Sequence, residues 1–241
     1  MPDISQVQPA AFNCEGGLVL NRSSFLMKPG EALVLENFEP DVEGGYRRMN
    51  GYRKFVNQIV PQTSASSEKI IGVANFTNKV IACRGEKIFS AASTELAVAI
   101  TANETMSGSG VIKVDSVLGF ASSGTIQIDS EIFTYTGVSL TVSPNQFTGV
   151  TRATSSTGAA LHLGNITVSS TWTEIDTGRT NAAKYRIERF NYNGTDKIIF
   201  VDEVNAPVIF DSSFNATDVT TTSVVGSKFV ASFKDHMFYA G

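Results

Sequence analysis

Few residues in this sequence have the type and spacing that chemistry requires. His162 and His236 are its two histidines, and Cys14 and Cys83 its two cysteines. Two scattered residues of each kind do not make the four-ligand set of a zinc site. No P-loop, no GxGxxG after a strand, no HExxH and no CxxC occurs. Paired carboxylates are better candidates: Asp129 with Glu131, and Asp202 with Glu203, have the composition of a cation site or an acid/base pair. The simpler reading of each pair is a solvated hairpin turn. A single histidine at the rim of a strand is likewise most simply a structural side chain. Asp196 and Asp235 fall in matching turns and read as turn formers that bond nearby backbone N–H groups. Charge is most concentrated in Tyr46-Arg47-Arg48-Met49-Asn50-Gly51-Tyr52-Arg53-Lys54-Phe55, four cations among three aromatics. Arginine forks and aromatic faces suit either phosphate or the acidic surface of a neighbour. Tyr46, Arg47, Arg48, Tyr52, Arg53 and Lys54 are therefore interface candidates, with an ordinary solvated hairpin as the alternative.

The elements that must position these groups are strands. Gly 20, Phe 16 and abundant Thr, Ser and Val, with few long charged helix formers, favour an all-β chain with tight turns. Apolar residues at 42% and charged residues at 17% exclude a disordered chain. No apolar run approaches the roughly 20 residues of a membrane-spanning helix. The net charge of -4 lacks the general cationic surface of a nucleic-acid-bound protein. The opening MPDISQVQPA has neither the basic start nor the apolar core of a secretory signal. The cysteines are thus expected as free thiols, and sequons such as Asn75, Asn165 and Asn193 as turn chemistry.

Four zones follow along the chain. Residues 1–61 form a segment of tight turns with Gly16-Gly17, Pro29-Gly30 and Gly44-Gly45, in which Ala32 to Phe38 reads as a short strand or one helical turn. Residues 62–101 hold a meander with turns at Thr77-Asn78-Lys79 and Arg84-Gly85-Glu86. Residues 102–168 lose charge and gain Gly, Ser and Thr. A hairpin turning at Asp129-Ser130-Glu131 is expected there, with Ile126 and Ile128 opposite Phe133 and Tyr135. Residues 169–241 return to the earlier style, with strands at Tyr185 to Phe190, Lys197 to Asp202 and Val208 to Asp211, then Lys228 to Phe233 and His236 to Ala240.

A strand ending in Phe, then a polar turn and an apolar strand, recurs at Phe76, Phe190 and Phe233, and the last two lie 43 positions apart. Once the third zone is removed, both spacings match the roughly 40 to 50 residues of a four-stranded propeller blade. The expected fold is a partial β-propeller of four-stranded antiparallel blades with a small β domain inserted between the first and second. Because a propeller closes with about four to eight blades, the chain is expected to continue beyond Gly241.

The opening GGLVLNRSSFLMKPGEALVLENFEPDVEGGYRRMNGYRKF resembles the N-terminal signature of tailed-bacteriophage tail nozzle, or tail tubular, proteins. The residues carrying the likeness are Gly16, Gly17, Pro29, Ala32, Asn37, Glu43, Gly44, Gly45, Arg48, Gly51 and Tyr52. The closing FKDHMFYAG resembles a blade strand of the same group, and the runs Ile126 to Gly137 and Phe147 to Arg152, followed by His162, resemble a β insertion of phage structural proteins. The resemblance implies a structural virion protein rather than an enzyme, with no cofactor. It implies a ring-forming homo-oligomer, expected as a hexamer, that is made in the host cytoplasm and lines the DNA exit channel of the tail. Expected partners are adaptor or portal-proximal proteins, tail fibres and passing DNA, with no membrane span. An acidic lumen suits that passage, since it repels phosphate. A second reading is an adhesin or fibre-docking module that binds host-surface glycan through exposed Tyr135, Phe147 and His162. A propeller glycosidase would need a carboxylate pair in the funnel, and the sequence supplies none convincingly.

Overall fold

The computed structural model describes residues 16–19, 23–28, 30–34, 36–40, 46–49, 51, 54–62, 68–180, 184–192, 194–234 and 236–241. The chain is all-β. Among the described residues the one helical piece is a 3-10 turn at Ser24–Leu26. Contacts divide the chain into two compact units, Met1–Arg53 and Lys54–Gly241.

In the first unit, β1 (Gly17–Leu18) runs parallel to β2 (Glu31–Ala32), and β3 (Phe38–Pro40) pairs antiparallel with β4 (Tyr46–Arg48). Neither a single strand nor a helical turn spans 32–38: β2 stops at Ala32 and β3 starts at Phe38. Gly16 is required where it stands, because a Cβ there would lie 2.6 Å from the Glu31 backbone nitrogen. Pro29 and the Gly44-Gly45 pair lie outside the described residues.

The second unit opens with a meander of β5 (Ile70–Phe76), β6 (Lys79–Arg84) and β7 (Lys87–Glu95). Its first turn is Thr77-Asn78, both at positive φ, the geometry that matches the twist of the flanking strands. Ile88 to Ala92 are all buried rather than alternating, because both faces of this sheet are covered. One face packs on residues from the 185–210 region and the other on Val60 and Trp172. Arg84 fastens the Val60 side by donating to the Val60 and Glu68 carbonyls.

Beyond β7 come β8 (Ser107–Val114), β9 (Gly124–Ile128), β10 (Glu131–Tyr135), β11 (Gly137–Ser139), β12 (Asn145–Thr151) and β13 (Thr167–Ser170). They enclose their own core, with Ile112, Ile126, Ile128, Phe133, Phe147 and Val168 fully or almost fully buried. The β9–β10 hairpin forms as expected, but the turn is Asp129-Ser130 alone. That register sets Phe133 opposite Ile126, Glu131 opposite Ile128 and Tyr135 opposite Gly124. Then β14 (Thr173–Asp176) returns to pair with the first part of β7, whose last part pairs with β13. The module therefore interrupts the first sheet between its third and fourth strands, instead of separating two complete repeats. Joining Ala92 to Thr171 through Asn-Gly should leave the sheet β5-β6-β7-β14 folded, because Ser90 already faces Thr173 at hairpin distance. A β-type far-UV spectrum with one cooperative unfolding transition checks this; an unfolded product would count against it.

A second four-stranded antiparallel sheet follows: β15 (Arg186–Tyr192), β16 (Thr195–Val201), β17 (Val208–Phe210) and β18 (Ala216–Asp218). The hairpin β19 (Phe229–Phe233) and β20 (His236–Ala240) comes next. Phe76, Ile81 and Ile88 of the first sheet share a core with Ile198, Phe200 and Phe210 of the second, so the two sheets pack face to face. β15 lies beside the first strand of the preceding sheet, β5, and beside β19. The recurring aromatic needs one correction. Phe76 and Phe233 close their hairpins opposite Lys79 and His236, but Tyr192, opposite Thr195, holds that place in the second sheet, and Phe190 sits two residues earlier.

Candidate functional site: a buried ion cluster in the inserted module

Glu131 is the first residue of β10, and its side chain shares the inward face with Phe133 and Tyr135. Alternation along a strand puts residues two apart on one face, so the pattern that sends the two aromatics into the core sends this carboxylate with them. It is fully buried. Arg152 is brought to it by β12. That strand carries a bulge at Gly149, at φ 63°, where a Cβ would stand 1.9 Å from Thr136 Oγ1. His162 is set by a backbone pair with Ile100, its N–H donating at 2.9 Å and its carbonyl accepting at 2.8 Å.

The three side chains meet in one place. Arg152 grips Glu131 bidentately, Nε to Oε1 at 2.9 Å and Nη2 to Oε2 at 2.8 Å. The Ala153 N–H donates to Oε1 at 3.1 Å and the Ala160 N–H to Oε2 at 2.9 Å. His162 lies with Nε2 at 2.8 Å from Glu131 Oε2 and Nδ1 at 2.9 Å from Asp129 Oδ2. The remaining guanidinium hydrogens go to backbone carbonyls of Thr101, Glu104 and Ala160, at 2.7, 3.0 and 2.7 Å. A carboxylate offers about four lone-pair sites, and all of them are used here. The Glu131 carboxylate is therefore fully engaged within the protein. The cluster ties the 101–104 loop and the 152–163 arch to the β9–β10 hairpin.

Burial alone would raise the Glu131 pKa. The hydrogen bonds from Arg152, His162 and the Ala160 N–H, with the charge of Arg152, outweigh burial and hold it down at about 2. Because the folded value lies below the ordinary 4.5, this contribution to stability is complete above about pH 4.5 and is lost as pH falls from there towards 2. Denaturant midpoints measured from pH 6 downward should fall more steeply for the native chain than for Glu131→Gln. Parallel curves would contradict this assignment.

Tyr135, Phe147 and His162 are not surface contacts, which corrects the adhesin expectation. Each is buried, Tyr135 and Phe147 as a tilted ring pair 4.7 Å apart, with the Tyr135 hydroxyl donating to the Ala121 carbonyl. The Tyr135 phenol is pushed up to about 12 by burial. Strand alternation put these aromatics in the core, where a motif read as exposed could not show it.

The other candidates are scattered. Arg47 is paired with Glu39 across β3–β4 at 2.8 Å, both partly exposed, and Arg48 and Lys54 are exposed. Tyr46 is half-buried beside Gly17, and Tyr52 and Arg53 lie outside the described residues. Asp202 is buried and turned inward on its own loop, accepting from the Val204 and Asn205 N–H groups and from Asn205 Nδ2, while Glu203 points to Lys228. Asp196 is no turn former: it lies on β16 opposite Asn191 and binds Arg189 and Asn191 side chains. Asp235 and Cys14 lie outside the described residues, and Cys83 is a buried free thiol.

Sequence reading missed Arg179. Buried at the link between the two four-stranded sheets, it donates to Asp176, to Asp218 Oδ1 at 2.6 Å and to the Ala206 carbonyl at 2.9 Å, while its N–H reaches the Glu86 carbonyl. It staples the end of β14 to the second sheet. No pattern along the chain marks it, since its partners, Asp176, Asp218, Ala206 and Glu86, come from four separate stretches of the chain. A groove of about 310 Å³ near the free ends of β15, β19 and β20 is lined by Tyr192, Phe233, Lys234, His236 and neighbours, and by no carboxylate among the described residues. Comparison with known protein families, with curated proteins and with solved structures finds no match to this chain.

Proposed function

We propose that this chain is a structural protein of a bacteriophage tail, a ring-forming nozzle or tube component that lines the DNA exit channel. Its four-stranded sheets are blades of a β-propeller, and the module is an insertion within the first blade. The observation that carries the reading is the adjacency of first strands: β15 lies between β5 and β19, as blades around one axis require. One feature suits a structural role: the buried Glu131 carboxylate has its acceptor sites taken by Arg152, His162 and two backbone N–H groups of the same module. The sequence likeness to tail nozzle proteins supplies the location in the virion, the homo-oligomeric ring, and the neighbours, which are adaptor proteins and tail fibres. Negative-stain imaging and mass photometry of the full-length protein test this: a ring of uniform stoichiometry is expected. A stable monomer, together with virion images that place the chain off the tail axis, would overturn it.

A further inference from the structure

We propose that His162 is a proton-operated latch that fastens the 152–163 arch to the β9–β10 turn. Its ring is buried, and both ring nitrogens face only carboxylate oxygens, Asp129 Oδ2 at 2.9 Å and Glu131 Oε2 at 2.8 Å. An ionised carboxylate accepts and cannot donate, so both contacts are hydrogen bonds only while both nitrogens carry a proton. A neutral imidazole has one N–H and one lone pair, and in that form one contact becomes lone pair against lone pair. The groups around the ring decide which contact opens. Glu131, from β10, is buried and bound by four other donors, so it keeps the remaining N–H. Asp129, from the hairpin turn, has a side chain 59% exposed and can turn to water. Arg152, from the end of β12, faces the pair through Glu131, and Glu104 faces Arg152 from the 101–104 loop. The Phe133 ring packs edge-on at 5.8 Å, and Ile100 offers its backbone. In the protonated form two cations, Arg152 and His162, balance two anions, Glu131 and Asp129. Loss of the proton unfastens the turn from the arch while Arg152 and Glu131 stay joined. This holds whatever the chain assembles into.

The test is nitrogen-15 NMR of the full chain labelled at histidine, with His236→Gln to remove the second signal. In the fastened form both ring nitrogens of His162 should carry protons, seen as two N–H signals sheltered from exchange. When a rise in pH removes one of them, the N–H facing Asp129 Oδ2 should be lost and the one facing Glu131 Oε2 kept. Asp129→Asn keeps the turn, since Asn tolerates the φ of 51° found there, and its amide can donate to a neutral ring. In that variant the ring should hold one N–H, facing Glu131, and the step that removes the other should disappear. A ring that holds a single N–H throughout the range in which the chain is folded, or one that loses the N–H facing Glu131 before the one facing Asp129, would overturn the proposal.

Discussion

Replacing Arg152 by alanine should cost about 3–5 kcal/mol, the penalty of leaving a buried carboxylate without its counter-charge. The Glu131 carboxylate has no exposed surface through which water could substitute. The same change takes the guanidinium from the carbonyls of Thr101, Glu104 and Ala160, of which Thr101 still accepts the Glu104 N–H. The loss should be local as well as global, with amide protection falling first in the 101–104 loop and the 152–163 arch. Replacing both partners, as Glu131→Leu with Arg152→Met, should recover the part of the loss that comes from the unpaired buried charge and no more, because the Ala153 and Ala160 N–H groups and the Glu104 and Ala160 carbonyls still lose their partners. Urea midpoints of the single and double variants decide it. A single variant within about 1 kcal/mol of the native chain would mean that the cluster is not the module's fastening.

Phe200→Ala should cost about 3–5 kcal/mol by opening a cavity between the two four-stranded sheets. Phe200 is almost fully buried and meets Phe210 edge to face, 5.5 Å and 90°, and Tyr185 at 6.1 Å and 74°. Its neighbours come from both sheets, so the variant weakens the packing that sets one sheet against the next. Burial holds the Tyr185 phenol well above its ordinary range, and a cavity beside it should bring that value down. Thermal unfolding with tyrosine absorbance at alkaline pH reads both effects. A small loss, with the tyrosine unchanged, would show that the two sheets do not depend on this contact.

The hairpins were legible because turns and apolar alternation are local. Thr77-Asn78, Asp129-Ser130 and the hairpin before His236 stand where turn chemistry places them. Pairing between distant strands was not legible. β14 carries no sign that its partner is β7 across the module, and β18, Ala216–Asp218, is too short and polar to be read as a strand. The site was half legible. Asp129 and Glu131 attracted attention as a carboxylate pair, but their separate fates, one at the surface and one in the core, follow from the two-residue turn and the face it assigns to Glu131. Arg152 and His162 reach Glu131 from 21 and 31 residues away, a closure that only the folded module makes. The interface segment around Tyr46 showed its composition but not its use, since Arg47 is already paired with Glu39.

An experimental structure of the full-length protein in its assembled state measures the central claim most directly. β5, β15 and β19 should stand side by side around a single axis, each followed outward by its own meander, with Phe76, Tyr192 and Phe233 at matching heights and radii. Two opposed sheets without a shared axis, or first strands at unrelated distances from any axis, would contradict it.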